Sequence, residues 1–213
     1  MPAGPLGPLG PASPVGPLLG RHVRLEPLGD HHRQGLLAAA VEPGTAAPHT
    51  WIPTDAAQVA AYVEQALADQ EAGISVPFAT VALPEDRVVG STRFLNLRRW
   101  DWPGATEGPD VAEIGSTWLA ASMRRTAVNS EAKLLQLTQA FEVWRVQRVE
   151  LKTDARNVVS RQAIERLGAR FEGMLRSYQP AADGPWPRDT AMYSILSDEW
   201  PEVAAGLRRA LAR

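Results

Sequence analysis

The most constraining stretch of this sequence is a strand, an amphipathic helix and a second strand that follow one another between Val111 and Thr153. VAEIGSTWLA, Val111 to Ala120, reads as a strand whose Gly115 marks a bulge or a close backbone approach. Downstream, Leu134, Leu137, Phe141 and Trp144 recur at helical spacing, while Lys133, Gln136, Glu142 and Arg145 fall largely outside that stripe. RVELKT then alternates Val149, Leu151 and Thr153 with Arg148, Glu150 and Lys152, the pattern of a half-buried strand after a very short connection. Such a unit commits the chain to an α/β fold, with helices packed on a sheet.

The flanking sequence extends this reading. RHVRLEPL alternates and stops at Pro27, a short strand. DHHRQGLLAAAV is a helix with Asp30 as its cap, and Thr54 or Asp55 caps a second helix toward Gly73. VPFATVALPEDRVVGSTRFLNLRRW reads as two strands joined by a Pro84, Glu85, Asp86 turn. Asn157 caps another helix, whose Ile164 and Leu167 face inward and whose end is set by Gly168. ARFEGMLRSY and RDTAMYSIL are two strands around the PAADGPWP turn, and the chain closes on a helix capped by Ser197 or Asp198. The predicted order is β α α β β β α β α β β α. Ahead of it, GPLGPLGPASPVGPL keeps proline at every third position and reads as a solvated polyproline-II tail. Residues 1–20 are therefore set apart as a disordered tail, and 21–213 as one domain.

Composition narrows the chemistry. Lys plus Arg at 22 against Asp plus Glu at 24 gives a net charge of -2, which leaves no basic excess to grip a nucleic-acid backbone. The absence of cysteine excludes a thiol nucleophile, a disulfide framework and a zinc ribbon. No apolar run approaches the roughly 20 residues of a membrane span, and the N-terminus lacks the pattern of a signal peptide, so a cytoplasmic protein is expected. His22, His31, His32 and His49 show no metal-ligand spacing, and no metal is expected.

RRTAVNSEAK, Arg124 to Lys133, joins the strand to the helix. A helix expected to begin near Asn129 or Ser130 presents unpaired N–H groups and a positive dipole end, with Arg124 and Arg125 upstream and Lys133 adding a charge. That arrangement suits an anionic ligand. Taken alone, it better suits a plain helix start, with Asn129 or Ser130 as N-cap, Glu131 in the first turn and the arginines solvated.

From Glu113 to about Tyr193 the chain resembles the GCN5-related N-acetyltransferase superfamily, in particular its RimJ/RimL-like branch. EIGSTWLA resembles the fourth strand of that branch, RRTAVNSEAKLL its acyl-CoA pyrophosphate turn, ERLGARFEGMLR its helix-to-strand passage and RDTAMYSIL its last strand. RHVRLEPL also matches its first strand. Val41 to Thr80, where such proteins build acceptor specificity, resembles it least. The resemblance implies an α+β mixed sheet whose fourth and fifth strands splay apart to admit the pantetheine arm, and acetyl-CoA or another acyl-CoA as co-substrate. It assigns coenzyme contacts to Trp118, Leu119, Arg124, Arg125, Thr126, Ala127, Val128, Asn129, Ser130, Lys133 and Asn157. The superfamily motif at the turn is Gln/Arg, two residues, Gly, one residue, Gly/Ala. Arg124 matches it, whereas Ala127 and Asn129 replace the small residues. A positive φ at Ala127 would cost roughly 1 kcal/mol or more.

Acetyl transfer to an amine needs an unprotonated nitrogen and a proton for the departing thiolate. Glu113, two residues before Gly115, is the candidate base, and a strand-edge ion pair is its equal alternative. Ser160, one helical turn after Asn157, is by resemblance the group that protonates or hydrogen-bonds the coenzyme sulfur. The tyrosine that many superfamily members place on this helix is replaced by Ile164. Trp51, Trp100 and Trp102 sit in loops or at strand ends that suit the wall of an acceptor channel, with core packing as the alternative. The acceptor is expected to be a protein N-terminus or a small amine, and dimers are common among similar proteins. A non-catalytic acyl-CoA-binding or regulatory module is the competing class, motivated by the missing glycines and tyrosine.

Overall fold

The computed structural model describes residues 15–104 and 107–212, so the proline-glycine repeat up to residue 14 lies outside the described residues. Eight strands make one sheet in the order β1-β2-β3-β4-β5-β6-β8-β7. They are β1 Leu18–Leu19, β2 Val23–Pro27, β3 Ser75–Ala82, β4 Arg87–Arg98, β5 Val111–Leu119, β6 Arg148–Asp154, β7 Arg170–Pro180 and β8 Pro187–Leu196. The α-helices are α1 Arg33–Ala40, α2 Ala56–Glu71, α3 Ala127–Thr138, α4 Val158–Arg166 and α5 Trp200–Leu211. The sheet is mixed, as expected: β5 and β6 run parallel, and the remaining pairs are antiparallel.

Burial follows the residue patterns. Every residue of β3 is buried, which its near-continuous apolar run requires of a strand covered on both faces. In β6 only Val149, Leu151, Thr153 and Asp154 are buried. The apolar stripe of α3 continues through a wide turn at Gln139–Val143, where Phe141 stacks on Trp200 of α5 with ring centroids 5.4 Å apart. Trp144, just past that turn, packs instead on Phe94 of β4 with centroids 4.5 Å apart. Asp55 caps α2 by accepting the Gln58 N–H at 2.8 Å, and Gly168 ends α4 at φ +97°.

The tail boundary at residue 20 falls too late. Leu18 and Leu19 pair with Leu25 and Arg24, and Val15 is buried. The proline register masked two consecutive leucines whose free N–H groups can join a ladder. Among the described residues no helix is long and apolar enough to cross a membrane.

Candidate active site

The centre of the sheet opens. β5 pairs with β6 only where Val111, Ala112 and Glu113 face Arg148, Val149 and Glu150. Beyond Glu113, β5 continues beside β4 to Leu119, and β6 continues beside β8 to Asp154. The facing edges of the two strands thus part, leaving backbone amides along the gap that an extended, amide-bearing chain can pair with. Past this fork, the Trp118 indole N–H is buried with no partner among the described residues. Leu119 is buried beside it.

The start of α3 differs from its expected form. Thr126 is the N-cap, its Oγ1 accepting the Val128 N–H at 3.3 Å, so the helix begins at Ala127 rather than near Asn129 or Ser130. Asn129 and Ser130 lie in the first turn, half-buried. Ala127 is helical and carries no strain; the left-handed residue is Arg125, at φ 62°. The two arginines also separate. Arg124 donates to the carbonyls of Gly44, at 2.9 Å, and Thr45, pinning the loop after α1. Arg125 is exposed and makes no hydrogen bond or ion pair among the described residues, and it immediately precedes the cap of a helix whose first N–H groups lack intrahelical partners. Lys133 is not at the turn at all: it is buried beneath the helix, against Thr92 and Thr117.

At the fork lies a cavity of about 410 Å³ lined by Gly73, Ile74, Asn96, Leu97, Arg98, Glu113, Glu150 and Tyr178. Glu113 is 2% exposed, and its Oε2 accepts from Asn96 Nδ2 at 2.6 Å and pairs with Lys152 Nζ at 2.9 Å. The ion pair expected as one reading of this residue is present, and its carboxylate lies on the cavity wall. Glu150, its ladder partner, is neutralised by Arg98 at 2.6 Å and Arg148 at 2.9 Å. Lys152 Nζ lies 5.3 Å from the centroid of the Tyr178 ring. Asn96, Glu150 and Lys152, which stand beside Glu113 at the fork, were not among the expected site residues. The alternating charges of RVELKT were the available signal, since they line one face of the strand at the fork.

On α4, Asn157 Oδ1 accepts the Ser160 N–H at 3.0 Å, so Asn157 is the helix cap. Ser160 is half-buried, and Ile164 is buried. Tyr193 is fully buried; its hydroxyl accepts from Arg161 Nε at 3.0 Å and donates to Glu165 Oε1 at 3.1 Å. Burial, more than any neighbour, raises its ionisation above the ordinary tyrosine value. These partners make it a structural hydroxyl.

The tryptophans divide into two groups. Trp51 stacks on Tyr62 of α2 at 5.9 Å. Trp100 and Trp102 meet edge to face at 6.3 Å, fixed by buried Asp110, which accepts the Trp100 N–H at 2.7 Å and the Trp102 indole N–H at 2.8 Å. None of the three lines the cavity at the fork. Folding also gathers histidines and acids that the sequence scatters. His49, Asp154 and Asp183 bring ligand atoms within 4.8 Å of one another, as do Glu26, His31 and His32. Arg156 already donates to both Asp154 and Asp183 and holds both carboxyls below their usual range, so the positive charge in that cluster is the protein's own.

A family model of the acetyltransferase (GNAT) domain matches residues 22–170. No match was found among curated proteins. Among solved structures, a GCN5-related N-acetyltransferase from Brucella melitensis superposes with a TM-score of 0.77 at 27% identity, over 92% of this chain and 85% of that one. A T. thermophilus protein assigned as an acetyltransferase is 32% identical over 93% of this chain and 98% of its own, with a TM-score of 0.76. Mycobacterium smegmatis RimJ, solved in complex with CoA-disulfide, shares the fold at 23% identity and a TM-score of 0.70, over 96% of this chain and 97% of that one.

Proposed function

This chain belongs to the acetyltransferase (GNAT) family and is an N-acetyltransferase, and we propose that it moves an acetyl group from acetyl-CoA to a primary amine by direct attack in a ternary complex. The observation that carries the proposal is the fork between β5 and β6, with Glu113 at its apex and the capped N-terminus of α3 beyond the end of β5. The parted edges hold the pantetheine amides, the first turn of α3 and Arg125 hold the pyrophosphate, and the thioester supplies the activated acyl carbon. Glu113 takes a proton from the amine as its nitrogen bonds to that carbon. As the carbon-sulfur bond breaks, the Ser160 hydroxyl supplies a proton or hydrogen bond to the leaving sulfur. Asn157 keeps α4, and hence Ser160, in place.

Ala127 no longer favours a non-catalytic module, since its helical backbone needs no glycine. The acceptor is a protein N-terminus or a small amine, and the cavity at the fork is where it enters. Calorimetry with acetyl-CoA, followed by thiol release in the presence of N-terminal peptides and small amines, tests the reading. Binding with thiol release is the expected result; binding without release across both amine classes would leave a coenzyme-binding module, and no binding would remove both.

A further inference from the structure

Lys133 carries a buried amine that the acyl transfer described above does not use. It is 5% exposed, and its Nζ donates at 2.8 Å to each of three oxygens: Thr92 Oγ1 on β4, Thr117 Oγ1 on β5 and Gln136 Oε1 on α3. A protonated amine can donate to all three oxygens, and a neutral one can donate to two and accept from a threonine hydroxyl, so the cage satisfies Nζ in either form. The two threonine hydroxyls are themselves 2.7 Å apart, which closes the ring. Glu131, two positions earlier, is committed elsewhere, accepting the N–H groups of Arg21, His22 and Val23.

The cage sits on an irregularity. β4 pairs Ser91 with Trp118 and Arg93 with Gly115, so Thr92 alone opposes both Ser116 and Thr117. Two residues against one is a bulge, and Ser116 takes the strain at φ 48°. The bulge falls on the part of β5 that has already left β6, and so borders the gap. Lys133 therefore ties three things together: the helix whose first turn would face the pyrophosphate, strand β4, and the kinked strand along which the acyl arm would lie. Burying an ammonium without a carboxylate is unfavourable, and an apolar side chain of the same length would fill the volume without that penalty. A packing role alone gives no reason for a lysine.

We propose that Lys133 is a positioning residue for acyl transfer, holding the β5 bulge at a fixed offset from the N-terminus of α3. The proposal rests on the acetyl-transfer reading above. In its absence the coenzyme still binds, because the turn and Arg125 are intact, but the thioester is no longer held in line with the acceptor amine.

The test uses the full chain with acetyl-CoA and an accepted amine, with kcat normalised to the acetyl-CoA stoichiometry measured by calorimetry. If the unmodified protein neither binds nor turns over, the acetyl-transfer reading fails; if it does both, the variants address Lys133 alone. Lys133→Met and Thr117→Val are each expected to lower kcat about tenfold or more while KM for acetyl-CoA stays within about threefold, the signature of lost alignment rather than lost binding. Thr117→Ser, which keeps the hydroxyl, should stay within about twofold of the unmodified kcat. Thr117→Val carries the test if Lys133→Met does not fold. An unchanged kcat, a rise in KM alone, or an equal loss in Thr117→Ser and Thr117→Val overturns the proposal.

Discussion

Glu113 and Lys152 are held 2.9 Å apart across the point where their strands separate. Glu113 is the last residue of β5 that pairs with β6, and Lys152 lies two residues past its ladder partner Glu150. The ion pair therefore bridges the apex of the fork, with the Glu113 carboxylate on the cavity wall. Glu113→Gln keeps the shape and a contact to Asn96 but cannot accept a proton. Turnover should fall about 100-fold or more, while acetyl-CoA affinity measured by calorimetry changes little. A pH-rate profile indistinguishable from that of the unmodified protein would remove Glu113 as the base.

The adjacent arginines should respond differently to truncation. Arg125 is unpartnered among the described residues, so Arg125→Ala should weaken acetyl-CoA binding about tenfold, the loss of one charge-assisted contact. Arg124 instead holds the Gly44 and Thr45 carbonyls, so Arg124→Met should expose that loop to limited proteolysis with a smaller change in affinity. Equal losses of affinity, with no change in cleavage, would contradict this division of roles.

How legible these features were depends on whether they are local. The strands and helices around the fork follow from alternation and helical spacing, and Asn157 as a cap follows from residue type. The start of α3 did not, because Thr126, Asn129 and Ser130 are all good N-cap residues and propensity cannot choose among them. Lys133 stood outside the stripe because such a stripe counts apolar side chains only. Its burial depends on two threonine hydroxyls supplied by other strands. The Glu113–Lys152 pair is hidden for the same reason, since it depends on which strands become neighbours.

Glu131 fixes the N-terminal strand to α3 by accepting three consecutive backbone N–H groups, from Arg21 at 2.9 Å, His22 at 2.5 Å and Val23 at 2.9 Å. Glu131→Ala strands these donors at the start of β2, the one at Val23 fully buried. Unfolding in urea should show a loss of about 2–3 kcal/mol with an unchanged slope. A loss below about 0.5 kcal/mol would show that water replaces the carboxylate.

Asn157 and Ser160 are linked by a hydrogen bond, yet their side chains should have separable effects. Asn157→Ala removes the cap and should lower stability by about 1 kcal/mol. The Ser160 hydroxyl takes no part in that cap, so Ser160→Ala should leave stability within about 0.5 kcal/mol while lowering turnover, though less than Glu113→Gln does. Full activity in Ser160→Ala would mean that the leaving sulfur finds its proton elsewhere.

Lys133 should also be visible in the pH dependence of stability. Burial pushes its amine down from the ordinary 10.5 to about 7 in the folded chain. The three oxygens around it offset this only in part, because none carries a formal charge. Between those two values the unfolded chain binds a proton that the folded chain has released, so stability rises with pH across the window, by at most about 1.4 kcal/mol per pH unit. Below about 7 both states are protonated and the burial penalty is fully present; above 10.5 both are neutral and it is gone. Lys133→Met has no such proton. Its stability relative to the unmodified protein should therefore be greatest near pH 6 and shrink steadily toward pH 9, as read from urea unfolding at matched ionic strength. A difference that stays flat over that range would mean that the amine keeps its proton, stabilised by the cage, and that the charge itself is the form present at the bulge.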